Sequence, residues 1–275
     1  MNVQAKPSEK MVQTGSGEAR VSGKATRRTD TKEVRAPRRG RVFKFFFPVT
    51  SYIVTVVCVL VFWIYLFVLN RTRIVGRHNV GEEKNTLLLS NHQSMIDSFL
   101  VGMGAYFPQA LWKPHLIPWN PAAEENFFKT PLLAWLADNW KCIPVRRGRR
   151  DFHAVHRMSQ VLPHGTMVLF PEGTRSRTGG VLAGRPGVGL VTLATRPRVI
   201  PVAIEGMNRA LPIGKVVPRI FQRISVSYGP AVDCSEFFEM PRTRETTQLL
   251  VDKTIDAIRQ QYAELRRQAG YSPND

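Results

Sequence analysis

Two kinds of apolar patterning alternate along most of this chain. Short runs of consecutive apolar or β-branched residues sit at 73–75, 85–90, 110–113, 142–146, 167–171, 199–204 and 224–228. Each is bounded by Gly, Pro, Asn or charged positions, which predicts strands, several of them buried on both faces. Between them, segments 94–105, 130–139, 151–162 and 188–195 are long enough for helices and carry few breakers. Near the end, Val251, Ile255, Ile258, Tyr262 and Leu265 recur at spacings of four, three, four and three, an amphipathic helix with Gly270 and Pro273 beyond it. Strands alternating with helices predict an α/β domain: a mixed, largely parallel sheet flanked by helices.

The remaining pattern is of another kind. From Phe45 to Leu69 no residue is charged, and 25 positions at about 1.5 Å rise suffice to cross a bilayer's hydrocarbon core. Trp63, Tyr52 and Tyr65 suit a headgroup region, and Lys44 and Arg71 close the segment. Residues 25–44 hold eight Lys or Arg and residues 70–89 hold four, which keeps the N-terminal arm cytosolic. A single crossing would then place the following domain outside. A domain that works on the cytosolic side would instead demand a shallow re-entrant or in-plane helix with both ends on that face. A buried core helix of a soluble protein is the competing reading, and the length of the uncharged run opposes it. The division expected is 1–44, a disordered basic arm; 45–72, a membrane-associated helical segment; and 73–275, the catalytic domain.

Length and charge narrow the picture further. With 275 residues, one large α/β domain plus appendages fits, and a second catalytic domain does not. The formal charge is +18, with residues 1–44 carrying 12 basic against 4 acidic side chains, so an anionic partner is expected. Nucleic acid would satisfy the charge, but basic and aromatic residues are not interleaved as such a binder requires, leaving anionic membrane lipids. Cys58, Cys142 and Cys234 lack ligand or disulfide spacing and read as small apolar side chains in a reducing compartment. His153 and His156 share a helix face without an evident third ligand, so no metal site is expected.

Two segments carry chemistry. Asn91-His92-Gln93-Ser94-Met95-Ile96-Asp97 follows the run 86–89 and sets an imidazole and a carboxylate on one strand-to-helix turn. Asp97 against one ring nitrogen of His92 would fix the tautomer and free the other nitrogen to take a hydroxyl proton. The alternative is a helix cap by Asn91 or Ser94, with Asp97 serving the helix dipole. Phe170-Pro171-Glu172-Gly173-Thr174-Arg175-Ser176 follows the run 166–169 and offers backbone amides, a hydroxyl and a guanidinium suited to a phosphate. Glu172 would repel an anion there unless it restrains Arg175 or accepts from a substrate hydroxyl.

With these segments in order, the chain resembles the 1-acylglycerol-3-phosphate acyltransferase family over about residues 73–235. His92 to Asp97 is similar to its catalytic His-x4-Asp block, and Lys113 sits where that family often has a lysine on the next strand. Ile143-Pro144-Val145-Arg146-Arg147-Gly148 is similar to the second block, whose arginine binds acceptor phosphate; Arg147 fits best, with Arg146 the alternative. The third block matches 170–176 and the apolar fourth matches 199–203. Gly184-Arg185-Pro186-Gly187 departs from the family's Phe-Lys-x-Gly, keeping the cation and losing the aromatic; no strand directly precedes it, so it does not read as a dinucleotide loop.

The resemblance implies a glycerolipid acyltransferase-like fold and an O-acyltransferase of phospholipid synthesis on the cytosolic face of the cell membrane. It would move an acyl group from acyl-CoA or acyl carrier protein to lysophosphatidic acid, giving phosphatidic acid with no further cofactor. His92 and Asp97 would be catalytic, and Arg147, Glu172, Gly173, Thr174 and Arg175 would hold the phosphate. Another lysolipid, aminolipid or glycolipid acceptor is the alternative, as is a non-catalytic adaptor that binds anionic lipid.

Overall fold

The structure, a computed structural model, describes residues 40–146 and 151–270. The expected disordered arm therefore lies almost entirely outside the described residues, as does Arg147. Seven strands are present among the described residues: β1 (Arg71–Val75), β2 (Thr86–Ser90), β3 (Asn120–Ala123), β4 (Cys142–Val145), β5 (Thr166–Leu169), β6 (Arg198–Glu205) and β7 (Arg223–Tyr228). Five form one sheet in the order β1-β7-β6-β2-β5. Its pairings are parallel except β6 with β7, so the sheet is mixed and largely parallel.

Strand β2 shows why the run at 86–90 does not alternate. All five residues are buried; Leu88 packs into one core and Leu87 and Leu89 into another. Helix α2 (Asp97–Tyr106) covers the Leu88 face through Leu100, Val101, Met103 and Tyr106. The other face is covered by α4 (Phe152–Val161), α5 (Pro186–Thr195) and α6 (Arg244–Gln268). Each leucine buried this way stabilises the sheet by about 1.5–3 kcal/mol. The stripe Val251, Ile255, Ile258, Tyr262 and Leu265 is the buried face of α6, whose first turn is capped by Thr243 accepting from the Thr246 amide at 3.1 Å.

Two expectations need correction. Residues 110–113 are not a strand: Gln109–Leu111 and Pro114–Leu116 are single 3₁₀ turns, and Pro108 and Pro114 flanking the run favour turns over a ladder. Lys113 lies between these turns, and its ammonium is paired with Glu82. The strand that does occur nearby, β3, was hidden by Pro121; it pairs in parallel with β4, which contains Pro144, in a separate two-stranded ladder. Trp119 fastens that ladder to the main sheet, donating its amide to Thr166 O at 2.9 Å and accepting from Val168 N at 3.0 Å.

Helix α1 (Arg41–Trp63) continues as a π-type turn over Ile64–Leu69, giving 29 helical residues, long and apolar enough to cross a membrane. One side is docked on the domain. Ser51 and Thr55, four apart and so on one face, donate to Asn139 O at 2.7 and 3.3 Å, satisfying the last carbonyl of α3 (Pro131–Asn139). Trp140 Nε1 donates to Cys58 Sγ at 3.1 Å, and Phe62 stacks on Phe99 of α2 at 4.1 Å. The opposite side leaves Ile53, Val57, Leu60, Val61, Ile64 and Val68 exposed. A soluble core helix would bury both sides.

Candidate active site

The site is assembled where β2 and β5 end side by side. At the end of β2 the chain keeps the two-residue alternation of a strand. Asn91 imitates a ladder partner of β6, donating Nδ2 to Ile204 O at 3.0 Å and accepting the Ile204 amide at 2.8 Å. Gln93 does likewise two residues on, donating to Ile204 O at 3.0 Å and accepting the Met207 amide at 2.9 Å. Both amide side chains are buried. His92, between them, must face the other way. Its carbonyl accepts the Ser176 amide at 2.7 Å, tying this turn to the 170–176 segment.

Asp97 is the first residue of α2 and is fully buried. Its Oδ2 meets His92 Nδ1 at 2.8 Å and accepts the backbone amides of Gln93 at 2.6 Å and Ser94 at 2.8 Å. A carboxylate can only accept, so the imidazole's proton resides on Nδ1 and the Nε2 lone pair is free. Phe170 stacks on the ring, centroids 4.0 Å apart and planes inclined by 14°, which leaves one tilt for the imidazole. Asp97 thus serves the imidazole and caps the turn together, whereas Asn91 caps no helix.

His92 belongs to the wall of a cavity of about 700 Å³. Its apolar lining includes Ala122 of β3, Val145 of β4, Met158 of α4, Leu169 of β5, and Val188 and Leu190 of α5. Arg146, Arg185, Arg242 and Arg244 line it too, against the single carboxylate of Asp151. Asp151 is occupied by the amides of Arg146 and Ala154, both at 3.0 Å, and Arg146 Nε is held by Glu124 at 2.9 Å. The cavity is therefore apolar in volume and cationic in charge, the chemistry of an amphiphile with an anionic head.

The 170–176 turn is distributed around this space rather than gathered on one wall. Gly173 lines the cavity at φ 63°, a left-handed backbone that favours glycine, and a β-carbon there would come within 2.9 Å of Arg185 Cδ and displace that side chain. Arg185 donates its backbone amide to Pro171 O at 2.8 Å and lays its side chain over Gly173. Thr174 is exposed and Arg175 half-buried, both beyond the cavity lining. Glu172 is 1% exposed and lies behind the turn, with neither carboxylate oxygen hydrogen-bonded. Burial pushes its pKa up to about 7, helped by the charge of Asp97 and opposed by the nearby amides of Leu182 and His92 and by Arg259.

Several contributors were not evident from the residues alone: Asn91 and Gln93 as the restraints on His92, Phe170 as its stacking partner, and Arg242 and Arg244 on the cavity rim. The polar–His–polar alternation at a strand end was the available sign for the first two. Arg242 and Arg244 come from a segment 150 residues downstream of His92, with no local signature.

The raised pKa of Glu172 has a measurable consequence. Folded protein retains the proton up to about pH 7, whereas the unfolded chain releases it near pH 4.3, so stability falls as pH rises between these values. The loss is at most ~4 kcal/mol. Glu172→Gln should flatten this dependence, and thermal denaturation of both proteins from pH 5 to pH 8 measures it; parallel curves would show that Glu172 is ionised throughout.

Comparison with known proteins agrees with this geometry. The Acyltransferase family pattern matches residues 71–205, which span β1 to β6 and both chemical segments. The chloroplastic 1-acyl-sn-glycerol-3-phosphate acyltransferase LPAT1 of Arabidopsis thaliana is 26% identical over 149 residues, 52% of this chain and 38% of that protein. N-acylphosphatidylethanolamine synthase from the same plant is 27% identical over 175 residues, 59% of this chain and 60% of that one. Taffazin of Dictyostelium discoideum is 25% identical over 159 residues, covering 54% and 55%. This chain thus spans less than two thirds of each of these relatives. The crystal structure of the 1-acyl-sn-glycerophosphate (LPA) acyltransferase PlsC from Thermotoga maritima shares the fold, with TM-score 0.53 and 21% identity over 78% of this chain and 80% of that one. The chain belongs to the acyltransferase family, with 1-acylglycerol-3-phosphate acyltransferases among its relatives.

Proposed function

We propose that this protein transfers a fatty acyl group from a thioester, acyl-CoA or acyl carrier protein, to the free hydroxyl of 1-acylglycerol-3-phosphate, giving phosphatidic acid. The observation that carries this reading is the imidazole of His92, held by Asp97 through Nδ1, on the wall of an apolar cavity that arginines also line. Nε2 takes the hydroxyl proton as the oxygen attacks the thioester carbonyl. The tetrahedral intermediate expels the thiolate, which recovers the proton from the imidazolium, so that no acyl-enzyme is formed. Asp97 stabilises the imidazolium during that interval.

Arg185 and the backbone at Gly173, both on the cavity wall, would hold the acceptor phosphate, with Thr174, Arg175 and Arg147 the further candidates that the resemblance supplies. Fixing the phosphate fixes the neighbouring hydroxyl, and this converts binding energy into orientation. The acyl chains take the apolar lining. The relatives named for N-acylphosphatidylethanolamine and tafazzin favour, as a second reading, the same chemistry on a lysolipid with another headgroup.

The docked side of α1 supports an in-plane rather than a transmembrane placement. Contacts from Ser51 to Phe62 fasten the helix along the domain, so its exposed apolar side can enter one leaflet while the cavity stays at the surface. Both ends then face the cytosol, where the acyl donor is.

His92→Ala should lower turnover by about two to four orders of magnitude with folding intact; mass spectrometry of products from purified protein and a panel of acceptors measures it, and near-normal turnover would refute the proposed base. Arg185→Ala should raise the Michaelis constant for a phosphorylated acceptor about tenfold or more, and much less for one lacking phosphate. An equal effect on both acceptors would place the phosphate elsewhere.

A further inference from the structure

The loop between the short helix Met207–Ala210 and β7 has the inverse of an ordinary loop's composition. Several apolar side chains stand far out of it: Val216 is 85% exposed, Val217 76% and Phe221 79%, with Ile213 and Ile220 exposed beside them. The backbone, by contrast, is tied down. Arg219 N donates to Ala210 O at 2.7 Å, Tyr65 OH to Arg219 O at 3.0 Å, and Gln222 N to Asn70 Oδ1 at 2.7 Å. An anchored loop holding apolar side chains outward requires a partner, since scattered exposure is ordinary but a contiguous patch is not.

Where that patch lies identifies the partner. Phe221 N donates to Leu69 O at 2.8 Å, so the last residue of the loop meets the point where the exposed apolar side of α1 ends, at Val68 and Leu69. The two surfaces meet at this junction. Neither carries a negative charge: there is no Asp or Glu from residue 41 to 81 or from 206 to 232. Arg71 and Arg223, paired across β1 and β7, stand exposed at the same junction, and Lys215 and Arg219 are exposed within the loop. Apolar tips collared by cations and free of acids match an anionic bilayer surface, in which the valines and phenylalanine enter the acyl boundary while the cations remain among headgroup phosphates.

We infer that the 213–221 loop is a second membrane-inserting element, joined to α1 at Leu69, and that a bilayer containing anionic phospholipid is its partner. This extends, and rests on, the in-plane reading of α1; it is independent of the acyl-transfer chemistry. A single helix in the interface leaves the domain free to roll about the helix axis. A second contact from a separate loop removes that freedom and fixes how the domain, and with it the cavity, is presented to the leaflet.

Hydrogen exchange read by mass spectrometry on the full chain, with and without phosphatidylcholine vesicles containing phosphatidylglycerol, tests both elements at once. Slower exchange on vesicles is expected in 213–221 and in α1. Val216→Ser/Val217→Ser, at positions too exposed to affect folding, should weaken vesicle binding in flotation about tenfold or more, and more clearly with phosphatidylglycerol present. Protection of α1 with the loop unchanged would overturn the second contact and leave the helix reading standing; protection of neither would overturn both. A double variant that binds vesicles normally but alters sedimentation in their absence would make the patch a protein interface, contrary to the proposal.

Discussion

One oxygen of a buried carboxylate organises the site. Asp97 Oδ2 gathers the Nδ1 of His92 and two consecutive backbone amides at the mouth of β2, so the imidazole, the turn and the first residue of α2 are set by one group. A carboxylate is tolerated at full burial only when its desolvation is offset by such donors. Asn91 and Gln93 complete the arrangement from the other side by stitching the turn to the end of β6. The base is thus restrained through its backbone and through its ring.

The neighbouring turn shows the opposite condition in Glu172, a carboxylate enclosed without hydrogen-bond partners and correspondingly hard to ionise. Gly173 in front of it exposes backbone to the cavity, and Arg185 supplies charge from the next helix's N-terminal flank. The cavity then has an imidazole, cations and an apolar lining in one space, and the exposed sides of α1 and the 213–221 loop supply the surface from which an amphiphile would reach it.

Much of this was legible in the residues. The runs at 86–90 and 199–204 read as strands because both faces of the sheet are covered and no alternation dilutes the pattern, and the α6 stripe is a simple helical period. The His-x4-Asp spacing announced the pair because a strand end followed by a helix start is a geometry that five residues can close. The residues that misled were prolines: Pro121 concealed β3, the partner of the expected strand at 142–146, and a short apolar run between Pro108 and Pro114 imitated a strand. The placement of Glu172 was not legible for a different reason. Sequence gives a side chain's chemistry but not the face of the turn it occupies, and this one points inward. The cavity arginines of the α6 flank were unreadable because only folding brings residue 242 beside residue 92.

The pairing of His92 with Asp97 is the claim on which the chemistry stands. Nitrogen NMR of selectively labelled histidine, at a pH where the imidazole is neutral, reports which ring nitrogen carries the proton. For His92 the proton should reside on Nδ1 and shift to a mixture of tautomers in Asp97→Ala. A wild-type imidazole already protonated on Nε2, or one insensitive to the loss of Asp97, would contradict a base held ready at the cavity.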